Sequence, residues 1–252
     1  MKRLLPALSR QDWTAVFIEL MVVVVGILLA LQVDQWAQRR EQRGTEQTYL
    51  ARLKEDLQIE DERARQAEGF ARERLAAVEL LDRLARAPAS ADNDPNALSW
   101  AIETASWRSF PKTNAFVYNE LQNTGRMSLI RSVALRRALT EHYATIAHDG
   151  RVGEDLAAQK DFDHATAGLL SLAELTAIER VGGNRRRVSM NRDRANSVAK
   201  AFAGRSDAIE QLPSLAQHHI FNLRVIGDMR ARIDRLTAMI DDQLGHRQTS
   251  ER

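Results

Sequence analysis

Between Trp13 and Trp36 the chain reads WTAVFIELMVVVVGILLALQVDQW, and Leu20 to Leu31 within it is an unbroken apolar run of twelve. A bare run of about 10 to 14 apolar residues suits a core helix or a signal-peptide core better than a span, so the flanks decide. Thr14 to Val33 is twenty residues with one ionisable side chain, Glu19. At about 1.5 Å of rise per residue this segment covers the roughly 30 Å of bilayer hydrocarbon. Trp13 and Trp36 then fall at the two interfaces, where an indole keeps its apolar edge in lipid and its N–H in water. Signal-peptide cleavage needs small residues at the last and third-last positions before the cut. Ending at Ala30 puts Leu28 in the upstream position, and ending at Ala37 puts Gln35 there. The segment is therefore expected to stay as an anchor. The best other apolar stretch, Ala165 to Ala173, is nine residues long, too short for a second span.

Lys2, Arg3 and Arg10 precede the span and Arg39, Arg40 and Arg43 follow it, so the cation count leaves the orientation tied. Exporting a short tail with three cations and the amine is costly, whereas a long following domain translocates largely regardless of charge. The expectation is an N-terminus in the cytoplasm and the domain outside, which in a Gram-negative cell means an inner-membrane protein with a periplasmic domain.

At about 100° per residue, Gly26 and Ala30 each fall within about 20° of the line through Glu19. Gly26 and Ala30 form a small-xxx-small pair that lets two helix backbones approach, so Glu19, Gly26 and Ala30 are the candidate membrane-helix packing face. Glu19 lies about 9 Å inside Trp13 by helix rise. Its carboxyl either reaches back to the interface or finds a partner across that face.

The 252 residues carry 36 Lys+Arg against 34 Asp+Glu, a formal net charge of +2, which gives no bulk attraction to nucleic acid. Hydrophobic residues at 44% and charged residues at 28% fit a folded domain. Only 12 glycines, 5 prolines and 6% aromatics disfavour sandwiches and barrels. With no cysteine, disulfides, thiolate metal sites and cysteine nucleophiles are excluded.

After the span, Thr45 to Arg86 carries Leu50, Leu53, Leu57, Ala64, Ala67, Ala71, Leu75, Val78 and Leu81 at three-four spacing, which predicts a long helix with solvated charged faces. It is either continuous with the span or hinged near Gly44. PASADNDP at Pro88 to Pro95 reads as a loop. Asn96 or a neighbour then caps a short helix bearing Leu98, Trp100, Ile102 and Trp107. Thr113 can cap a helix that Gly125 closes, and Ser132 caps a second long element running from Val133 toward Leu172, with breaks threatened at Gly150 and Gly153. Val181 to Arg187 reads as a loop, and Pro213 as the start of the last long helix, through Leu223, Ile226, Met229, Ile233, Leu236, Ile240 and Leu244.

The expected fold is all-α: an N-terminal transmembrane helix followed by an antiparallel helical bundle. Its divisions are a tail at 1–12, the span at 13–36, a joint at 37–44, the bundle at 45–245 and a frayed end at 246–252.

FIELMVVVVGILLALQVDQW at Phe17 to Trp36, YLARLKEDL at Tyr49 to Leu57 and ELQNTGRMSLIRSVALRRALTEHY at Glu120 to Tyr143 together resemble an uncharacterised family of bacterial single-span membrane proteins known only as a domain of unknown function. The resemblance implies an N-terminal anchor and a helical domain, and brings no reaction, cofactor or partner with it.

Motifs for chemistry are sparse. Gly182-Gly183 lacks the Lys-Ser or Lys-Thr of a phosphate loop, and neither GxSxG nor HExxH occurs. A di-iron bundle needs two Glu-x-x-His pairs, and only Asp161-x-x-His164 approaches that spacing. Asp161, Asp163 and His164 are a weak metal candidate beside a solvated cluster. His218 and His219 point about 100° apart on a helix and are expected at the surface. From Arg180 to Arg205 eight cations, among them Arg185, Arg186 and Arg187, face only Asp193. That segment reads as a basic loop able to contact an acidic protein or anionic lipid, without the aromatic residues that stack bases.

The sequence therefore points to a membrane-anchored interaction or sensor-like protein, self-associating through its span, with the lipid bilayer, a second copy and possible protein or anionic-lipid partners. It implies no nucleic acid, cofactor, metal or catalytic residue. Its rivals are an anchored enzyme without a recognisable motif and a scaffold facing the cytoplasm.

Overall fold

The computed structural model describes residues 12–88, 94–108, 110–152, 157–177, 180, 181, 184, 185 and 190–248. Helix α1 runs unbroken from Asp12 to Arg86, 75 residues or about 110 Å by helix rise, so the apolar candidate span and the first bundle helix are one element. Gly44 stays helical within it and accepts the Thr48 hydroxyl at its carbonyl, 3.1 Å. Of the continuous and hinged arrangements, the chain takes the continuous one.

The bundle begins at Glu46, the first buried residue. α2 is Pro95–Thr104, with Asp94 accepting the Asn96 N–H at 3.0 Å. α3 is Phe116–Asn123, closed by Gly125 at φ 67°, a left-handed backbone that favours glycine. A 3-10 turn at Arg126–Leu129 leads to α4, Val133–Val152, capped by Ser132 Oγ, which accepts the Leu135 N–H at 3.2 Å. α5 is Ala157–Thr166 and α6 is Leu172–Ala177. Strands β1 (Arg180–Val181) and β2 (Asn184–Arg185) pair antiparallel, and α7 (Arg192–Ala203) and α8 (Ser206–Gln248) follow.

Several expectations change. The second long element is divided: α4 ends at Val152, next to the break threatened at Gly153, α5 begins at Ala157, and Gly168, at φ 80°, turns the chain between α5 and α6. The basic segment is not all loop, since Asn191 caps α7 and Ala195, Val198, Ala199 and Phe202 form its buried stripe. Pro213 is interior to α8 rather than its start. Proline there forgoes a backbone bond, but Ala208, Leu212 and Leu215 are all buried on this turn, and that burial keeps the helix going.

α1 and α8 are antiparallel along the bundle: Lys54 meets Asp241 at 2.6 Å, and Arg230 bridges Asp61 at 3.0 Å and Glu68 at 2.9 Å. Two cores line this pair. The proximal core, nearer the apolar stretch, joins α1 from Tyr49 to Ala71 with α3, α4 and α8 from Ile226 to Ile240. The distal core joins α1 from Ala77 to Leu84 with α2, α5, α7 and the start of α8. Leu50, Leu53 and Leu57, fully buried, are worth about 1.5–3 kcal/mol each by transfer.

Candidate functional site

Among the described residues no part of the most apolar stretch of α1 is covered by protein. Phe17, Val22 and Leu29 are 63%, 65% and 58% exposed, an arrangement stable only if lipid or another chain covers them. The stretch is helical throughout, so Glu19, Gly26 and Ala30 share a face as the spacing requires. All three are exposed, and a Cβ on Gly26 would meet nothing within 4 Å. At the exit, Gln38 donates to Asp34 and Arg39 to Gln35, each at 2.9 Å, and the Arg40 guanidinium lies 5.5 Å from the Trp36 ring.

Inside the bundle the charged face of α1 is not wholly solvated. Glu46, Asp56 and Glu60 are buried, and each carboxylate ties down another part of the chain. Glu46 accepts the Arg131 N–H at 2.9 Å. Asp56 accepts the Val117 N–H and the Asn114 amide, both at 2.8 Å. The first turn of α3 is thus capped from α1 rather than by Thr113. Burial raises the Asp56 carboxyl above its ordinary range, and the Val117 N–H pulls it back. Glu60 accepts the Asn114 N–H at 2.8 Å and pairs with His142 Nε2 at 2.9 Å, with both side chains about 1% exposed or less.

The His142 ring meets Tyr143 edge-on, and Tyr143 stacks on Tyr118 at 4.4 Å between centroids. The Tyr143 hydroxyl is raised well above its usual range, first by burial and then by the charges of Glu60 and Asp56. A Glu–His–Tyr group resembles acid–base machinery, but all three side chains are buried, and Glu60 is held by the Asn114 N–H and by His142. It fastens the loop before α3 to α1 and α4.

The distal end holds a second polar group. A cleft of ≈ 280 Å³ is lined by Glu103, Trp107, Asp163, Thr166 and Leu170 among others. Asp163 Oδ1 accepts the Ser106 hydroxyl at 2.5 Å. Burial, then the Asp163 charge, raises the Glu103 carboxyl. Asp161 and His164 are exposed, and among the described residues no three His, Asp or Glu side chains converge as a metal site would need. His219 is not at the surface: it is fully buried and donates from Nε2 to the Ala105 carbonyl at 2.7 Å. Burial is the main reason its pKa falls to about 4. Arg74, a buried charge, donates to the Arg108 carbonyl beneath Trp107.

Of the basic segment, Arg194 is neutralised by Glu174, twenty positions upstream, through two contacts of 2.9 Å, and it also donates to the Leu169 carbonyl. These bonds hold the Glu174 carboxyl down at about 2. Arg205 donates to the Ala165 carbonyl at 2.8 Å. Both cations pin α5 and its following turn. Arg185 lies on β2, paired with Arg180, whereas Arg186 and Arg187 fall outside the described residues. The buried carboxylates had a signal in the sequence: Asp56 and Glu60 lie three positions after Leu53 and Leu57, in step with the apolar stripe.

The profile of a family of unknown function, DUF6090, matches residues 19–159, which includes most of the span, the carboxylates of α1, α3, the 3-10 turn and α4. No curated protein and no solved structure matches the chain. The chain belongs to the DUF6090 family.

Proposed function

We propose that this DUF6090 member is a single-pass membrane protein that carries a helical interaction domain on a continuous helical stalk and self-associates through its span. The observation that carries the reading is the contrast along one unbroken helix, uncovered and apolar through the span, then packed from Glu46 onward. Glu19, Gly26 and Ala30 form the packing face in this reading, with the Glu19 carboxyl hydrogen-bonded across it. The N-terminus is cytoplasmic and the domain lies beyond the inner membrane. The protein acts by binding rather than catalysis, a view supported by the closure of the Glu60–His142–Tyr143 group to solvent. Arg185, Arg186 and Arg187 serve as a contact for an acidic partner protein.

A membrane two-hybrid assay of the full chain tests self-association. Gly26→Leu with Ala30→Leu lowers the signal about tenfold, the loss expected for about 1.4 kcal/mol of helix packing. An unchanged signal removes the packing face. Glu19→Gln keeps hydrogen-bonding capacity and leaves assembly intact. A C-terminal reporter active only in the periplasm reads the orientation, and a silent reporter makes the domain a cytoplasmic scaffold instead.

A further inference from the structure

The bundle is built on one side of α1. Glu46 and Leu53, both fully buried, follow Ala37 and Gly44 by nine residues each. Nine residues at about 100° apiece turn a helix through two and a half turns, so the buried side of α1 lies opposite Ala37 and Gly44. On the side left open, Ala30, Ala37, Gly44 and Ala51 recur at every seventh position, and all four are exposed. Seven residues is the repeat at which two helices stay in contact by supercoiling to the left.

Small side chains alone do not choose a partner, but the charges beside them do. Arg40 lies about 50° to one side of the line midway between Ala37 and Gly44, and Glu41 lies about 50° to the other. Both are exposed, with Arg40 5.5 Å from the centre of the Trp36 ring, and neither has an ion-pair partner among the described residues. With α1 as a membrane span, two copies inserted in the same direction pair in parallel about a two-fold axis. Such an axis sets the left flank of each helix against the right flank of the other. Arg40 of each copy then faces Glu41 of the other, and the complementary pair is made twice.

Farther along, the open face turns against itself. Glu55 and Glu62 follow Ala37 and Gly44 by eighteen residues each, five full turns, so they lie on the same line, and both are exposed. In a parallel pair each would meet its own copy, and like charges so placed repel.

We propose that two copies of the chain pair in parallel along the open face of α1 from Ala30 to Ala51, with Arg40 of each bridged to Glu41 of the other, and diverge at Glu55. The two bundles stand on the outer sides of the pair, where neither obstructs the other. The proposal deepens the reading of the span as a self-association face and rests on it.

The chain has no cysteine, so single cysteines report the seam without background. Ala30→Cys, Gly44→Cys and Gln66→Cys, all on the open face, are placed in the full chain and oxidised with copper phenanthroline in native membranes. A disulfide needs Cα atoms within about 7 Å, so dimers form at 30 and at 44 and are largely lost at 66. On the Gly44→Cys background, Arg40→Glu sets like charges together on both flanks and lowers the dimer-to-monomer ratio about fivefold, the sum over two exposed pairs. Adding Glu41→Arg restores the ratio, which it could not do if Arg40→Glu acted only by removing the contact with Trp36. A dimer at 30 without one at 44 overturns the seam and leaves association through the span standing. A dimer at 44 that survives Arg40→Glu, or that Glu41→Arg does not rescue, overturns the charge pairing. Equal dimers at 44 and 66 overturn the divergence at Glu55. No dimer at 30 or at 44 removes the span reading itself, and the seam falls with it.

Discussion

The two halves of α1 share a backbone and differ in what surrounds them. From Val16 to Gly44 every residue is exposed; from Glu46 to Leu84 the helix buries a stripe of leucine, alanine and valine. In the first half nearly the whole circumference is apolar, so nothing in the side chains selects a protein partner over lipid. In the second half charged positions interrupt the stripe, and the carboxylates that turn inward at Glu46, Asp56 and Glu60 are each matched to a donor outside α1. The same residue type therefore means different things in each half. Glu19 sits on an uncovered face, whereas Glu60 is a buried carboxylate with two donors.

Removing His142 gives the largest expected separation between the halves. His142→Leu leaves Glu60 buried with only the Asn114 N–H, and the bundle loses about 3–5 kcal/mol. Glu19→Leu, in the other half, leaves thermal unfolding of the bundle unchanged. Circular dichroism melts of both variants in detergent check this, and an equal loss from the two would mean that the span is packed against the bundle.

A leucine pair repeats the comparison without charge. Leu53→Ala creates a cavity in the proximal core at about 3 kcal/mol, within the range of such truncations. Leu28→Ala, on an uncovered surface, changes stability by less than about 0.5 kcal/mol. Flotation with vesicles is unaffected by either.

Acid separates the halves next. His219 has a pKa of about 4 in the fold against about 6.5 unfolded. The unfolded chain binds the proton first, so this contribution is complete above pH 6.5 and shrinks as pH falls toward 4. By pH 4.5 the loss is about 2.5 kcal/mol, and burial of His218, also lowered, adds in the same direction. The Glu174–Arg194 pair has the same sign but is lost only below the ordinary carboxylate range. Denaturant midpoints measured from pH 7 to 4.5 fall steeply in the wild type and less so in His219→Gln, and vesicle flotation stays constant. A flat profile in the wild type would mean that the bundle opens around His219.

The uncovered apolar helix, the α1 stripe, the Gly125 turn and the Ser132 cap were legible because each depends on neighbours within one or two helical turns. The start of α8 was not, since proline at a first helical position and proline tolerated inside a buried helix look alike locally. The stripe of α7 was masked by its arginines, although Ala195, Val198, Ala199 and Phe202 have helical spacing. Glu46, Asp56 and Glu60 passed for solvated charge because their donors are 54 to 85 residues away. His219 was misread for the same reason, its carbonyl partner lying 114 positions upstream.

Two glycines of α1 make the smallest and most discriminating test. Gly26 and Gly69 are both helical, and a Cβ on either would meet nothing within 4 Å in the single chain. At Gly69 the only consequence of alanine is reduced backbone freedom in the unfolded state, worth about 0.5–1 kcal/mol. For a domain of this size that raises Tm by about 1–4 °C. If Gly26 were equally open in the assembled protein, Gly26→Ala would be equally harmless to self-association and Gly26→Leu would be too. The packing face instead makes size matter there: alanine, still small, lowers the two-hybrid signal little, and leucine removes most of it. A graded loss from glycine through alanine to leucine at position 26, with a gain in Tm at position 69, shows that one glycine meets a second chain and the other meets water. Identical behaviour at the two positions would leave lipid as the only cover of the span.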